Sequence, residues 1–228
     1  MQSVFSRARA IRTTRASKRV RASARQIVKI AGPDKTKVAE EIAKFVLKKV
    51  PLSVSRGVDI DFAKMKFRRS FSKKAEQTLA NDSTTGLMPC IERCNLALSL
   101  FRKAKIPAWL TREIFFEPPS ISPRVHDYVE FFTGGKVRTL ALGFGLESQS
   151  DMYKIYDAPM KDTGFGKIFR GIESSQIGGA KSYKKYLAFA KEAFSSKQAL
   201  KDKKRLELLV ASGVIPKEAY NQILGRSK

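Results

Sequence analysis

The sequence predicts an α+β fold: a central helix packed on an antiparallel sheet, with a basic N-terminal arm and a helical C-terminal tail. Three observations predict it. Apolar residues recur every three or four positions over residues 90–105, where Ile91, Cys94, Ala97, Leu98, Leu100, Phe101 and Ala104 make a face broad enough for a mostly buried helix. Strand-like runs follow at residues 109–116 and 125–132, and Gly134-Gly135 then turns the second of them into a third run at 137–144. The charge is the third observation, because 45 Lys+Arg against 21 Asp+Glu leave a net +24, well beyond what solubility requires. With 228 residues and 43% hydrophobic residues the chain can bury one substantial core and still carry appendages.

The charge excess begins at the N-terminus. Arg7, Arg9, Arg12, Arg15, Lys18, Arg19, Arg21, Arg25 and Lys29 precede the first acidic residue, Asp34. Val4, Phe5, Ile11 and Val20 bury too little to offset the cost of ordering such a segment, so residues 1–32 are expected to be a disordered arm that orders on nucleic acid or another polyanion. An Arg- and Ser-rich, acid-free N-terminus also describes an organelle transit peptide, and both readings stay open.

From Pro33-Asp34 a helix is expected to about Lys49, with Val38, Ala39, Ile42, Phe45 and Val46 on one face and Pro51 ending it. Even spacing of Val54, Val58 and Ile60 suits a short strand at 52–62. Residues 64–74 mix Lys64, Lys66, Arg68, Arg69, Lys73 and Lys74 with Phe67 and Phe71, a pattern that suits either a wet basic helix face or a base-stacking surface. Asn81 to Gly86 is a loop by composition. The central helix ends at Lys105, since Ile106 precedes Pro107.

Beyond Gly145 the signals thin. Neither Gly164-Phe165-Gly166-Lys167 nor Gly178-Gly179-Ala180-Lys181-Ser182 has the spacing of a nucleotide-binding loop, and both read as turns. Residues 183–194 look helical, and from Arg205 two short helices flank a stop at Gly213, with Pro216 in the first turn of the second. The expected division is therefore an arm at 1–32, a domain at 33–150 and a basic, mainly helical extension at 151–228.

One cysteine and the sole histidine suggest chemistry. Cys90 opens the central helix, where unpaired N–H groups and the positive end of the helix dipole favour a thiolate and can hold an oxyanion. His126, on the second strand, is placed to act as its base. Cys94, one turn in, reads as a small core residue. Two cysteines four apart make no disulfide framework, which suits a reducing compartment. Two Cys and one His lack a fourth ligand for structural zinc, so no metal and no cofactor is expected. No apolar run is long enough to span a bilayer.

The stretch around this pair resembles the transglutaminase-like branch of the papain-like cysteine hydrolases and acyltransferases. Cys90 lies sixteen residues before Ile106-Pro107-Ala108, and His126-Asp127-Tyr128-Val129-Glu130 follows on a strand with Tyr in place of the family's Trp. The resemblance covers roughly residues 35–145 and implies Cys90 as nucleophile, His126 as base and an amide or isopeptide bond in a protein substrate. Three features depart from the family, the first being Met88-Pro89 in place of its small residues before the cysteine. Trp109 replaces the Arg of the Ile-Pro-Ala-Arg motif, and residues 136–142 hold no acid to orient the imidazole, leaving Thr139, Glu147 or Asp127 as substitutes. The C-terminal tail is weakly similar to short helical SHOCT-like modules.

Two functions follow from this reading. One is a thiol acyltransferase or hydrolase tethered by its basic arm, the other a catalytically inactive scaffold serving as a nucleic-acid-binding or ribonucleoprotein component. The cytoplasm is the expected compartment, or an organelle matrix if residues 1–32 are a transit peptide.

Overall fold

The computed structural model of the chain describes residues 18–50, 75–80, 89–115, 124–143, 152–163, 166–177 and 183–226. In order its elements are α1 (Lys18–Ala31), α2 (Lys35–Lys49), α3 (Ala75–Ala80), α4 (Pro89–Lys103), β1 (Ala108–Phe115), β2 (Arg124–Thr133), β3 (Lys136–Leu142), β4 (Tyr153–Tyr156) and β5 (Gly166–Gly171). A 3-10 turn (Ser174–Ile177), α5 (Tyr183–Glu192), α6 (Ser196–Ala211) and α7 (Lys217–Ile223) complete the set. Arg7, Arg9, Arg12 and Arg15, the strand expected at 52–62, the basic block at 64–74, the loop from Asn81 to Gly86, Glu147 and the turns at Gly164 and Gly178 lie outside the described residues.

The fold is α+β with a five-stranded antiparallel sheet in the order β4-β3-β2-β1-β5. Its hairpin is the one expected: Thr133 pairs with Lys136 across Gly134 and Gly135, whose φ values of 58° and 73° are those of the tight turn that matches strand twist. Alternation along each strand divides the sheet into two faces. Leu110, Ile114, Val129, Phe131, Leu140 and Phe169 form the first, buried in one core with residues of α1, α2 and α4. Phe101 of α4 stacks on Phe131 with ring centroids 4.8 Å apart. Trp109 and Val137 lie on the second face, where Leu209, Ile215 and Ala219 from the C-terminal helices cover them.

Three expectations change. Residues 18–31 are not a disordered arm but the helix α1, because Val20, Ala24 and Ile27 repeat at four and three residues and are buried against the core. The boundary at 150 does not divide the chain, since β4 pairs with β3 and β5 pairs with β1 in the one sheet. The helix expected from Arg205 starts earlier, at Ser196, where the Ser195 hydroxyl caps it by accepting from Gln198 N at 3.2 Å. The C-terminal helices are also docked. Gln222 accepts from Val137 N at 2.7 Å and donates to Gly135 O at 2.6 Å, gripping the hairpin turn from α7.

The helix starts where expected, and Asp34 caps α2, its side chain accepting from Thr36 N at 2.8 Å. At the other end of the core, α4 closes with a lysine where glycine is usual. Lys105 has φ 59°, its N–H bonds Arg102 O at 3.2 Å, and Ile106 N bonds Phe101 O at 3.0 Å, the paired bonds of a left-handed helix cap. That conformation costs an L-residue about 1 kcal/mol. Lys105→Gly should therefore raise the denaturant midpoint by up to about 1 kcal/mol of stability, and Lys105→Val, β-branched at positive φ, should lower it.

Candidate functional site

Cys90 is the second residue of α4, after Pro89 at the first helical position. The residue is half-buried, and burial pushes its thiol up to about 12. The Asp127 carboxylate adds to that rise, while the Arg112 guanidinium and the backbone amides of Ile91 and Asp127 oppose it and lose. The helix N-terminus thus faces a desolvation it does not overcome. One turn on, Cys94 is fully buried, its thiol donating to Asp127 O at 3.2 Å. Its pKa is also raised, by burial first and Asp127 second, so it is the core residue the sequence predicts.

The strand residue facing α4 is thus Asp127, not His126. Asp127 shares the first face with Val129 and Phe131. It pairs with Arg112 in a buried fork: Nε to Oδ1 at 2.6 Å and Nη2 to Oδ2 at 2.7 Å, with Nη1 donating to Ile177 O at 3.0 Å. Next to it, Arg93 donates to Val50 O at 2.7 Å and ties α4 to the end of α2.

His126 points to the second face. Its ring meets the edge of Tyr128 at a centroid distance of 4.6 Å, and the Tyr128 hydroxyl donates to Glu113 Oε2 at 3.1 Å. Nε2 of His126 is buried without a hydrogen bond. Burial lowers its pKa, and the Asp127 charge only partly restores it. Two of the three substitutes for the family's acid are engaged elsewhere: Thr139 donates to Ala158 O at 2.7 Å, and Asp127 holds Arg112. The structure does not join Cys90 to His126, and among the described residues nothing orients the imidazole.

What the second face does build is a closed network around Glu130, which is fully buried. Its carboxylate accepts from Trp109 Nε1 at 2.5 Å, Arg170 Nε at 2.7 Å, Arg170 Nη2 at 2.9 Å and Met160 N at 2.7 Å. Four donors fill its acceptor sites, so this carboxylate is structural and free for no proton transfer. Trp109, standing where the family has Arg, is one of them. Sequence reading quoted Glu130 in the histidine motif without giving it a role, although it shares its parity on β2 with His126 and Tyr128, and it missed Arg170. Arg170 lay in a segment with no recognised strand.

The described basic candidates lie on α1. Lys18, Arg19, Arg21, Arg25 and Lys29 are all exposed, opposite the buried Val20, Ala24 and Ile27. Lys18, Arg21, Arg25 and Lys29 follow one another at three and four residues on a single side, a spacing at which like charges destabilise a helix by about 0.2–0.5 kcal/mol per pair. The first turn has no acidic residue to complement the helix dipole.

Among the described residues no group of three or more His, Cys, Asp or Glu could hold a metal ion, and no helix is long and apolar enough to cross a membrane. No protein-family model matches the chain, and neither a curated protein nor a solved structure matches it.

Two measurements check this geometry. Glu130→Ala leaves Arg170, the Trp109 indole and Met160 N without their buried acceptor, and should cost about 3–5 kcal/mol in chemical denaturation. A depressed folded-state pKa means the unfolded chain binds the His126 proton more readily, so this residue's contribution is complete above about pH 6.5 and is lost as pH falls through that value towards the folded pKa. His126→Gln should flatten the acid limb of stability against pH in that window, and with one histidine in the chain the difference curve reports this residue alone.

Proposed function

We propose that this chain is a nucleic-acid-binding protein on a catalytically inactive scaffold resembling the transglutaminase-like fold. The observation that carries the reading is the net +24 charge, part of it displayed as five exposed cations on α1, in a protein whose cysteine and histidine point to different faces of the sheet. A thiol pushed up by burial is held protonated near neutral pH, which weakens the nucleophile the resemblance implies. With Glu130 saturated and Asp127 locked to Arg112, neither of the buried β2 carboxylates is free to orient an imidazole. Nucleic acid, in contrast, asks only for fixed positive charge at phosphate spacing.

The enzyme reading rests on the position of Cys90 in the first turn of α4 and on the amides of Ile91 and Asp127 near its thiol. Alkylation with iodoacetamide separates the two. Cys90 should react far more slowly than a free thiol, with a rate that His126→Ala leaves unchanged; rapid alkylation lost in His126→Ala would restore the enzyme. In parallel, the full chain should bind a short duplex with an affinity that falls steeply as salt rises. Absence of binding at low salt would overturn the nucleic-acid reading.

A further inference from the structure

We infer that the outward side of α1 is a preformed docking surface for the sugar–phosphate backbone of a duplex nucleic acid, an inference that rests on the nucleic-acid reading above. The row Lys18, Arg21, Arg25, Lys29 runs from residue 18 to residue 29, about 16 Å at the α-helical rise. The helix is already folded without a ligand, because Val20, Ala24 and Ile27 anchor its other side in the core. Binding through it therefore carries no backbone ordering cost, unlike binding through a disordered arm.

Three features of the helix select the partner. Within Lys18–Ala31 there is no acidic and no aromatic residue, so the surface offers charge but nothing on which an unpaired base could stack. That favours a duplex over a single strand. The apolar stripe Val20, Ala24 and Ile27 that an interfacial helix would bury in lipid is already packed in the protein's own core, leaving only Val28 and Ile30 exposed near the end of the helix, which disfavours a membrane. Finally, cations in the first turn oppose the helix dipole and the row repels itself, so an anionic surface laid along it relieves two unfavourable terms at once.

The test compares two charge-matched triple variants of the full chain. Lys18→Gln, Arg25→Gln and Lys29→Gln remove three cations from α1; Lys197→Gln, Lys203→Gln and Lys204→Gln remove three exposed cations from α6. Binding of short DNA and RNA duplexes is followed by fluorescence anisotropy from about 50 to about 200 mM salt, where three phosphate contacts contribute a slope of about 2.7 in log affinity against log salt. Losing them should shrink the affinity drop across that range by about 40-fold for the α1 variant, and by little for the α6 variant. The charge-preserving set Lys18→Arg, Arg25→Lys and Lys29→Arg should keep the slope, and circular dichroism melts establish that every variant folds.

An unchanged slope in the α1 variant, or equal losses in both, overturns this surface while leaving nucleic-acid binding in place. Single strands bound as tightly as duplexes overturn the choice of a duplex. Wild-type protein that binds phosphatidylserine vesicles and neither nucleic acid overturns both this inference and the function it rests on. The two duplexes separate DNA from RNA as the source of the backbone.

Discussion

The register of β2 is the constraint on which the rest of this structure depends. It carries two buried carboxylates of opposite parity, Asp127 towards α4 and Glu130 towards the far face, and each meets its own arginine. A slip of one residue would send Asp127 to the Glu130 side and Glu130 into the helix-packed core, leaving two charges and two guanidiniums unpaired. Such pairs add little net stability over apolar residues of the same size, because desolvation offsets their attraction. Their effect is discrimination: every other register is far worse. Trp109 on β1 and Arg170 on β5 both reach Glu130, so one side chain aligns three neighbouring strands.

The same constraint decides the chemistry. With Asp127 turned to α4, residue 126 turns away, and the imidazole rests on Tyr128 while the thiol lies against the strand backbone near Asp127. Spacing along the chain had placed a cysteine and a histidine on the right elements, but a nucleophile and its base must also share a side of the sheet. Burial then acts in the same direction on both groups, raising the thiol and lowering the imidazole, so each is held neutral. In this structure the thiol and the imidazole lie on opposite sides of the sheet, each held neutral by burial.

Much of the architecture was legible. α2 and α4 show long apolar periodicity, Asp34 and Pro89 mark their starts, and Gly134-Gly135 fixes the hairpin. The misses have physical causes. Nine basic residues over 1–32 dominate the composition of the N-terminal stretch, yet only three inward positions of α1, Val20, Ala24 and Ile27, are needed to hold fourteen residues as a helix. β4 and β5 are four and six residues long and carry Lys154, Lys167 and Arg170, so neither alternates cleanly between apolar and polar. They are edge strands, whose pairing comes from tertiary contact more than from pattern. The site was half legible. Val125, Val129 and Phe131 share a parity with Asp127, and that apolar parity marks the side a helix must cover; His126 belongs to the other.

Among the described residues, the two buried ion pairs of β2 are each neutral. Arg112 cancels Asp127, and Arg170 cancels Glu130, so the buried pairs contribute nothing to the net +24. Folding does not need the excess, and on α1 it works against the helix that carries it. In water that charge gathers a cloud of anions. A partner with closely spaced phosphates exchanges many loosely held small ions for one fixed lattice, and releases its own condensed cations in doing so. On the proposed reading, the energetic return on the basic surface of α1 is collected in the complex and not in the folded chain.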